Sequence, residues 1–540
     1  MSASAGYDPT PSYPPVGGTV DLGLPQPPDG VLAIDGPAAL PWETLLAKLD
    51  PRRVVDIREH YLPWHEVEAR TARAELPGDP VFGKLYDGAL SDLFDELPVP
   101  AADAIVVGPG SALVPHDVLW YADVPRPIAL DEMRRNAVPN VGMPSGSRGS
   151  EQRLLFFDWP LEARHRQELA PQLDRYLDLG DADTIRSLDG ATLRRTLAWL
   201  ASRPFRTRPT FLPGPWGGQW LRRTLGIRTE APNLAWSYEL IAPEAGILVD
   251  SLEVGFDLLM AAEGARVVGE DVVVRFGNSF PIRFDYLDTL EGGHLSIQCH
   301  PTPEYAAATF GLPYTQLESY YVVETTPTAK VFLGLRADAN VAAFERDARV
   351  ALTGREFDPE RHLQAHEAIQ HQLYLIPAGT PHASGAGNVV LEISATPYLY
   401  TLRFYDWLRE NGDGELRPVH VDHAFANLDG LRRGAAVARD LIQPPTVVRA
   451  GPGWAELDLG GLPELFFAVH RLDFDRAVAD DTGSRFHVLA LVEGEALTIE
   501  TAAGDAHALA YGETIIVPAA VGAYELRADG PRKVVKAFVK

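Results

Sequence analysis

The sequence predicts a multidomain chain: an N-terminal α/β parallel-sheet domain, then a β-rich region of two barrels with a helical insert in the first. Three observations carry this reading. Short apolar runs alternate with helical patterns through residue 207, and strand-like runs bounded by turn residues dominate afterwards. The run Tyr374-Leu375-Ile376-Pro377-Ala378-Gly379 recurs in altered form as Ile515-Ile516-Val517-Pro518-Ala519-Ala520, the mark of a repeated unit. At 540 residues the chain also exceeds what a single core fills.

Residues 1–30 are rich in Pro, Gly and Ser with little to bury, which predicts a disordered tail. Residues 31–207 form the α/β domain. Its strands are expected at Val31-Leu32-Ala33-Ile34-Asp35-Gly36, Val54-Val55-Asp56-Ile57 and Ala104-Ile105-Val106-Val107-Gly108, with a fourth at Leu154-Leu155-Phe156-Phe157-Asp158. Helices are expected over residues 161–177 and 192–202, where Leu193, Leu197 and Leu200 share one face. Residues 208–415 form the first barrel, interrupted by a polar, helical insert over residues 341–372. Residues 416–540 form the second, with strands near 465–470, 486–492, 496–500 and 514–517. Gly494-Glu495 and Ala503-Gly504-Asp505 supply turns at barrel spacing. Continuing the repeat places Ala523 where the first barrel has His382, and His487 stands alone, so the second barrel is read as ligand-free.

Composition narrows the function classes. With 74 acidic against 48 basic residues the formal charge is −26, which argues against nucleic acid or an anionic membrane as partner. A phosphorylated small molecule stays open, because a few local arginines outweigh distant acid. Cys299 is the single cysteine, so no intramolecular disulfide forms, in keeping with a reducing compartment. No run approaches the roughly 20 apolar residues of a membrane span, and the N-terminus lacks a signal-peptide pattern. The expectation is a soluble cytoplasmic protein.

The chemistry concentrates in Leu295-Ser296-Ile297-Gln298-Cys299-His300-Pro301. On a strand, Gln298 and His300 project to one face, and Cys299 points away from it. The strand that includes Glu318-Ser319-Tyr320-Tyr321 offers a carboxylate, and Ile376-Pro377-Ala378-Gly379-Thr380-Pro381-His382 presents a second imidazole after a tight turn. A Gln-x-His pair alone is a weak sign, and a lone strand histidine is usually packed or exposed. Taken together, an amide oxygen, two imidazoles and a carboxylate suit zinc, manganese or iron with a position left for substrate. His362 and His366 stand at i, i+4, but no acidic ligand accompanies them, and they are read as surface residues with His371.

Residues 295–301, 318–323, 376–383 and 401–407 resemble, in order, the four signatures of class I mannose-6-phosphate isomerase. Pro215-Trp216-Gly217-Gly218-Gln219-Trp220 is similar to a Trp-Gly-Gly motif of that family. The resemblance implies a bicupin of two jelly-roll barrels. It also implies an aldose–ketose isomerase that interconverts mannose 6-phosphate and fructose 6-phosphate through an enediol. It implies one Zn2+ per chain, with Mn2+ or Fe2+ as alternatives, held by Gln298, His300, Glu318 and His382. Arg403 matches the family's active-site arginine, and Ser296 a serine beside the substrate. Glu392 matches an acidic residue that serves as base or proton relay, or that orients Arg403. Two departures stand out: Gln316 and Asp285 occupy positions where family members often have lysine, and Arg283 shares a strand face with Asp285 and could replace the lost charge. These losses motivate an alternative, a non-catalytic cupin that binds a sugar or sugar phosphate as a sensor.

Ala33-Ile34-Asp35-Gly36-Pro37-Ala38-Ala39-Leu40-Pro41-Trp42-Glu43-Thr44 resembles the first strand and phosphate loop of a uridine-kinase-like P-loop domain, without the Gly-Lys-Ser/Thr ending. That implies a kinase fold without kinase chemistry. An unrelated α/β domain with an apolar first strand accounts for the same residues.

Overall fold

The first apolar run becomes the central strand of a seven-stranded sheet. In the computed structural model, which describes residues 6–135, 138–181, 183–410 and 414–540, the strand Leu32–Asp35 lies between Ile105–Val107 and Val118–Asp123. Val54–Asp56 and Arg175–Asp178 flank these, all five parallel. Arg186–Asp189 and Asp21–Leu22 extend the edge in antiparallel fashion. Leu32, Ala33, Ile34, Ile105, Val106 and Val107 are fully buried, as a sheet covered on both faces requires. This burial is why the runs are continuously apolar rather than alternating.

The run expected as a fourth strand is helical instead. Leu154–Asp158 is a π-turn between Glu151–Arg153 and Trp159–Leu169. Four apolar residues in a row suit a buried helix as well as a strand, and the Ser150 side chain caps this one by accepting from the Arg153 N–H. The helix expected to reach residue 177 stops at Leu169, because Pro171 cannot continue it and the chain re-enters the sheet at Arg175.

Of the tail expected to be disordered, residues 1–5 lie outside the described residues and residues 6–30 are ordered. Ser12–Tyr13 pairs in parallel with Leu248 and Val249, and Asp21–Leu22 completes the α/β sheet. The Tyr7 hydroxyl donates to Glu239 (2.6 Å), the Asp8 N–H donates to Glu513 (2.7 Å), and Tyr13 packs edge-on against Trp199. The tail has no core of its own; it borrows edges from three other parts of the chain.

Residues after the α/β domain build two β-sandwiches, all of whose pairings are antiparallel. The first has a six-stranded sheet ordered Leu373–Ile376, Glu318–Thr325, Asn388–Ala395, Ile282–Asp288, Trp236–Leu240 and Thr210–Leu212. Its second sheet is ordered Leu363–Glu367, Lys330–Leu335, His382–Ser384, Ile297–Cys299 and Leu402–Tyr405. The insert is α-helical over Val341–Ala351, makes a 3-10 turn at Pro359–Arg361 and returns as the edge strand Leu363–Glu367. Its histidines are not all at the surface: His362 is buried, stacked on Phe344 and bonded to Asp347 (2.8 Å). The second sandwich combines six- and four-stranded sheets around its own core of Leu472, Leu489, Leu497 and Leu526. There Ala523 is exposed at a strand start, and the His487 ring is spent on the Tyr524 hydroxyl (2.8 Å).

The α/β domain and the first sandwich share one continuous hydrophobic core. Phe82 packs among Phe310, Tyr400, His420 and His423, and the Leu85 N–H donates to the Phe310 carbonyl (2.9 Å).

Candidate metal centre

Strand register assembles the centre. Within the second sheet of the first sandwich Gln298 lies opposite His382 on one side and Arg403 on the other. His300 follows one residue past its strand, and Glu318 opens a strand of the first sheet. The sandwich therefore brings ligand candidates from both sheets face to face. The His300 Nε2 lies 2.5 Å and the His382 Nε2 3.0 Å from Glu318 Oε2, and the three donor atoms fall within 4.8 Å of one another. All three side chains are buried. Among the described residues this is the one His/Cys/Asp/Glu group of that kind.

The local chain explains the geometry. Gly379 adopts φ +74°, and a Cβ there would lie 2.4 Å from the Asn427 carbonyl, so the Pro-Ala-Gly-Thr turn needs glycine. The Thr380 carbonyl accepts from His382 Nδ1 (2.9 Å), which fixes the tautomer and aims a lone pair on Nε2 at the centre. His382 Nε2 is close to Glu318 yet misaligned for a hydrogen bond, and both it and Glu318 Oε1 are buried without a partner. Unsatisfied buried groups cost roughly 1–3 kcal/mol each. Two orphaned donor atoms, one on the carboxylate and one on an imidazole, beside the second imidazole of His300 fit a divalent cation. Burial opposes ionisation of Glu318, but the His300 and His382 imidazoles outweigh it and hold the carboxyl well below its usual range. Burial also lowers His300, so both effects favour the ligand forms.

A cavity of about 440 Å³ opens beside the centre, lined by Ser296, Gln298, Arg283, Asp285, Glu392 and Arg403 among others. The Ser296 hydroxyl donates to Gln298 Oε1 (2.7 Å). Arg283 pairs closely with Glu392, donates to Ser394 (2.5 Å) and lies 3.8 Å from Asp285. Glu392 thus orients Arg283, not Arg403, because Asp285 and Glu392 are cross-strand neighbours on the cavity face. With its amide turned so that both ends are satisfied, Gln316 accepts from Arg283 (2.8 Å) and donates to the Pro397 carbonyl (3.1 Å), with the His300 ring at 3.2 Å. The residue in place of lysine therefore sits between the arginine cluster and a candidate ligand imidazole.

Asp285 is the functional candidate that the sequence reading passed over as a lost lysine. Its Oδ1 is buried without a hydrogen-bond partner, and burial pushes its carboxyl up to about 7, with Arg283 opposing and Glu318 reinforcing. Its alternation with Arg283 on a strand leading to Gln298 was the available signal. Arg403 donates to the Pro418 carbonyl (3.2 Å) and makes no ion pair among the described residues. Burial, then the neighbouring Arg417, lowers it to about 10, with Asp406 opposing, so it remains a cation at neutral pH. Cys299 is buried, its Sγ directed to the Ala424 carbonyl (3.7 Å), and burial raises its thiol far from reactivity.

The sandwich and its centre define a class before any particular relative. In three dimensions 62% of the chain overlays the whole of the Bacillus subtilis mannose 6-phosphate isomerase structure, with a TM-score of 0.52 at 19% identity, which shows a shared fold. In sequence the chain is a distant homologue of mannose-6-phosphate isomerases. It is 23% identical over 328 residues to the one from Streptococcus mutans, covering 58% of this chain and 92% of that one. It is 24% identical over 223 residues to ManA of Bacillus subtilis, covering 41% of this chain and 67% of that one. Residues 21–202 match a family described as a domain of unknown function (DUF8485). Among the described residues no helix is long and apolar enough to cross a membrane.

Proposed function

We propose that this chain is a metal-dependent aldose–ketose isomerase that interconverts mannose 6-phosphate and fructose 6-phosphate in the first barrel of a bicupin. The observation that carries the reading is the buried His300, Glu318, His382 group with two orphaned donor atoms, opening beside Gln298 onto a cavity that holds Asp285, Glu392 and Arg283. Gln298, His300, Glu318 and His382 would hold one Zn2+ per chain, with Mn2+ or Fe2+ as alternatives. When bound, the ion supplies positive charge to the sugar oxygens as the enediolate develops. The isomerisation itself moves one proton from C2 to C1 and a second from the C2 hydroxyl to the C1 oxygen; the carbon-bound proton is the one that needs a base. Asp285 removes it as carboxylate and returns it as carboxylic acid, and its pKa of about 7 suits both roles. Arg283, held by Glu392 and Ser394, steadies the carboxylate form of Asp285. Arg403, which makes no ion pair among the described residues, offers its guanidinium to the anionic substrate, and Ser296 orients Gln298.

The test is formation of fructose 6-phosphate from mannose 6-phosphate by the purified full chain loaded with zinc. Absence of turnover with zinc, manganese and iron alike overturns the proposal. The replacement of both lysines by Gln316 and Asp285 favours one second reading, a sugar-phosphate sensor; metal and sugar-phosphate binding without turnover would select it.

A further inference from the structure

The cavity beside the metal centre is not made by the β-sandwich alone. Val81, Phe82, Leu130, Arg134, Leu155 and Trp159, all from the α/β domain, line the same space as Gln298 and Asp285. They come from three separate segments: the stretch around Phe82, the helix Arg126–Arg134, and the helical run through Leu154–Asp158 into Trp159–Leu169. This wall is bolted down. The Tyr400 hydroxyl donates to the Gly83 carbonyl (2.8 Å), His423 Nε2 meets Asp79 (2.7 Å), and Arg134 is held by both oxygens of Glu151 (3.0 and 2.8 Å).

The α/β domain meanwhile spends its own anion-binding groups internally. The Asp35 carboxylate accepts from the N–H groups of Gly36 (2.8 Å) and Ala112 (2.8 Å) and meets His165 Nε2 (3.0 Å), while Glu162 accepts from the Ala38 N–H (2.7 Å). The loop after the first strand is filled by the chain's own carboxylates, so a nucleotide phosphate has no free N–H cradle there. What this domain presents to a ligand is its wall.

We infer that the α/β domain is the specificity wall of the sugar-phosphate site: its residues Leu130, Leu155 and Phe82 close one side of the cavity and set the length of the phosphorylated sugar admitted. This rests on the proposed isomerase site and adds the substrate-selecting surface to it. Gln298, Asp285 and Glu392, from the sandwich, meet the reacting end of the sugar. The α/β wall, where Leu130, Leu155 and Trp159 lie with Arg134 and Glu151, limits reach.

The test measures binding of fructose 6-phosphate and of trehalose 6-phosphate, a disaccharide phosphate, to the zinc-loaded full chain by calorimetry. Leu130 and Leu155 are half-buried and are not among the residues of the metal centre. L130W narrows the cavity and should weaken fructose 6-phosphate by about tenfold or more, and L155A should shift the preference toward the disaccharide by about tenfold or more, as even one methylene does in an apolar pocket. A residue that only supports the fold would lower melting temperature without moving the ratio of the two dissociation constants. An unchanged ratio in both variants overturns the inference, and L155A answers the question where L130W fails to fold. Turnover with an unchanged ratio removes the wall and leaves the isomerase. Binding that responds to the wall without turnover removes the isomerase and leaves the wall. No binding of either sugar phosphate by the wild type removes both.

Discussion

Replacing His382 by alanine tests the centre most directly. The side chain is fully buried, its Nδ1 is fixed by the Thr380 carbonyl, and its Nε2 is one of the two orphaned atoms. Binding free energies for four-donor zinc sites of roughly 10–16 kcal/mol come to about 3 kcal/mol per donor. At about 1.4 kcal/mol per decade, loss of one donor weakens zinc about a hundredfold. The truncation also leaves Glu318 with a single imidazole to offset its burial, which lowers the stability of the metal-free protein. Zinc titration against a competing chelator, with metal content measured by mass spectrometry, reads the first effect; thermal unfolding reads the second. His300→Ala should behave alike. Zinc affinity within about threefold of wild type in both variants, with the fold retained, would refute the assignment of the centre.

Three further outcomes are expected. Asp285→Asn should lower kcat by about 10²–10⁴-fold with zinc content unchanged; the wild-type rate should climb as pH rises through about 7, and that limb should vanish in the variant. A steady pH profile in both would remove Asp285 from proton transfer. Burial raises Asp158 to about 7 and Glu162 to about 8, so the native state binds more protons than the unfolded chain between the usual carboxylate range and those values. Their contribution to stability is therefore full below the usual carboxylate range and falls by the order of a few kcal/mol as pH rises from there to about 7 to 8, which a lower melting temperature at pH 8.5 than at pH 5.5 would register and a higher one would contradict. Phe82→Ala should cost about 3–5 kcal/mol, because its ring fills the contact between the α/β domain and the sandwich; a loss below about 1 kcal/mol in denaturant titration would show that the contact contributes little.

Much of the centre was legible because β-structure has a period of two. Gln298 and His300 share a face by spacing alone, and the Pro-Ala-Gly turn before His382 announces itself through a glycine that nothing else can replace. The pairing of Glu392 was not legible, since it depends on which strands neighbour Ile282–Asp288, and register across 100 residues leaves no local trace. For the same reason Asp285 read as a missing lysine until Arg283 and Glu392 stood beside it. The α/β strands at Leu32, Val54 and Ile105 were visible as β-branched runs, whereas Leu154-Leu155-Phe156-Phe157 has a pattern that helix and strand share. Composition misjudged the tail, because prolines and glycines report what a segment can bury by itself and not what it can dock onto.

That docked tail constrains the order in which the molecule can be finished. Asp8 leaves the ribosome well before its partner Glu513, which lies 505 residues later. At synthesis rates of roughly 5–20 residues per second, the two are separated by roughly 25–100 s. During that interval Ser12–Tyr13 can already join its strand partners and Tyr7 can reach Glu239, but the Asp8 N–H waits for Glu513 until the second sandwich arrives. The contact of Asp8 is thus among the last to be fastened, and it acts as a seal on an assembly whose other parts must already be in place.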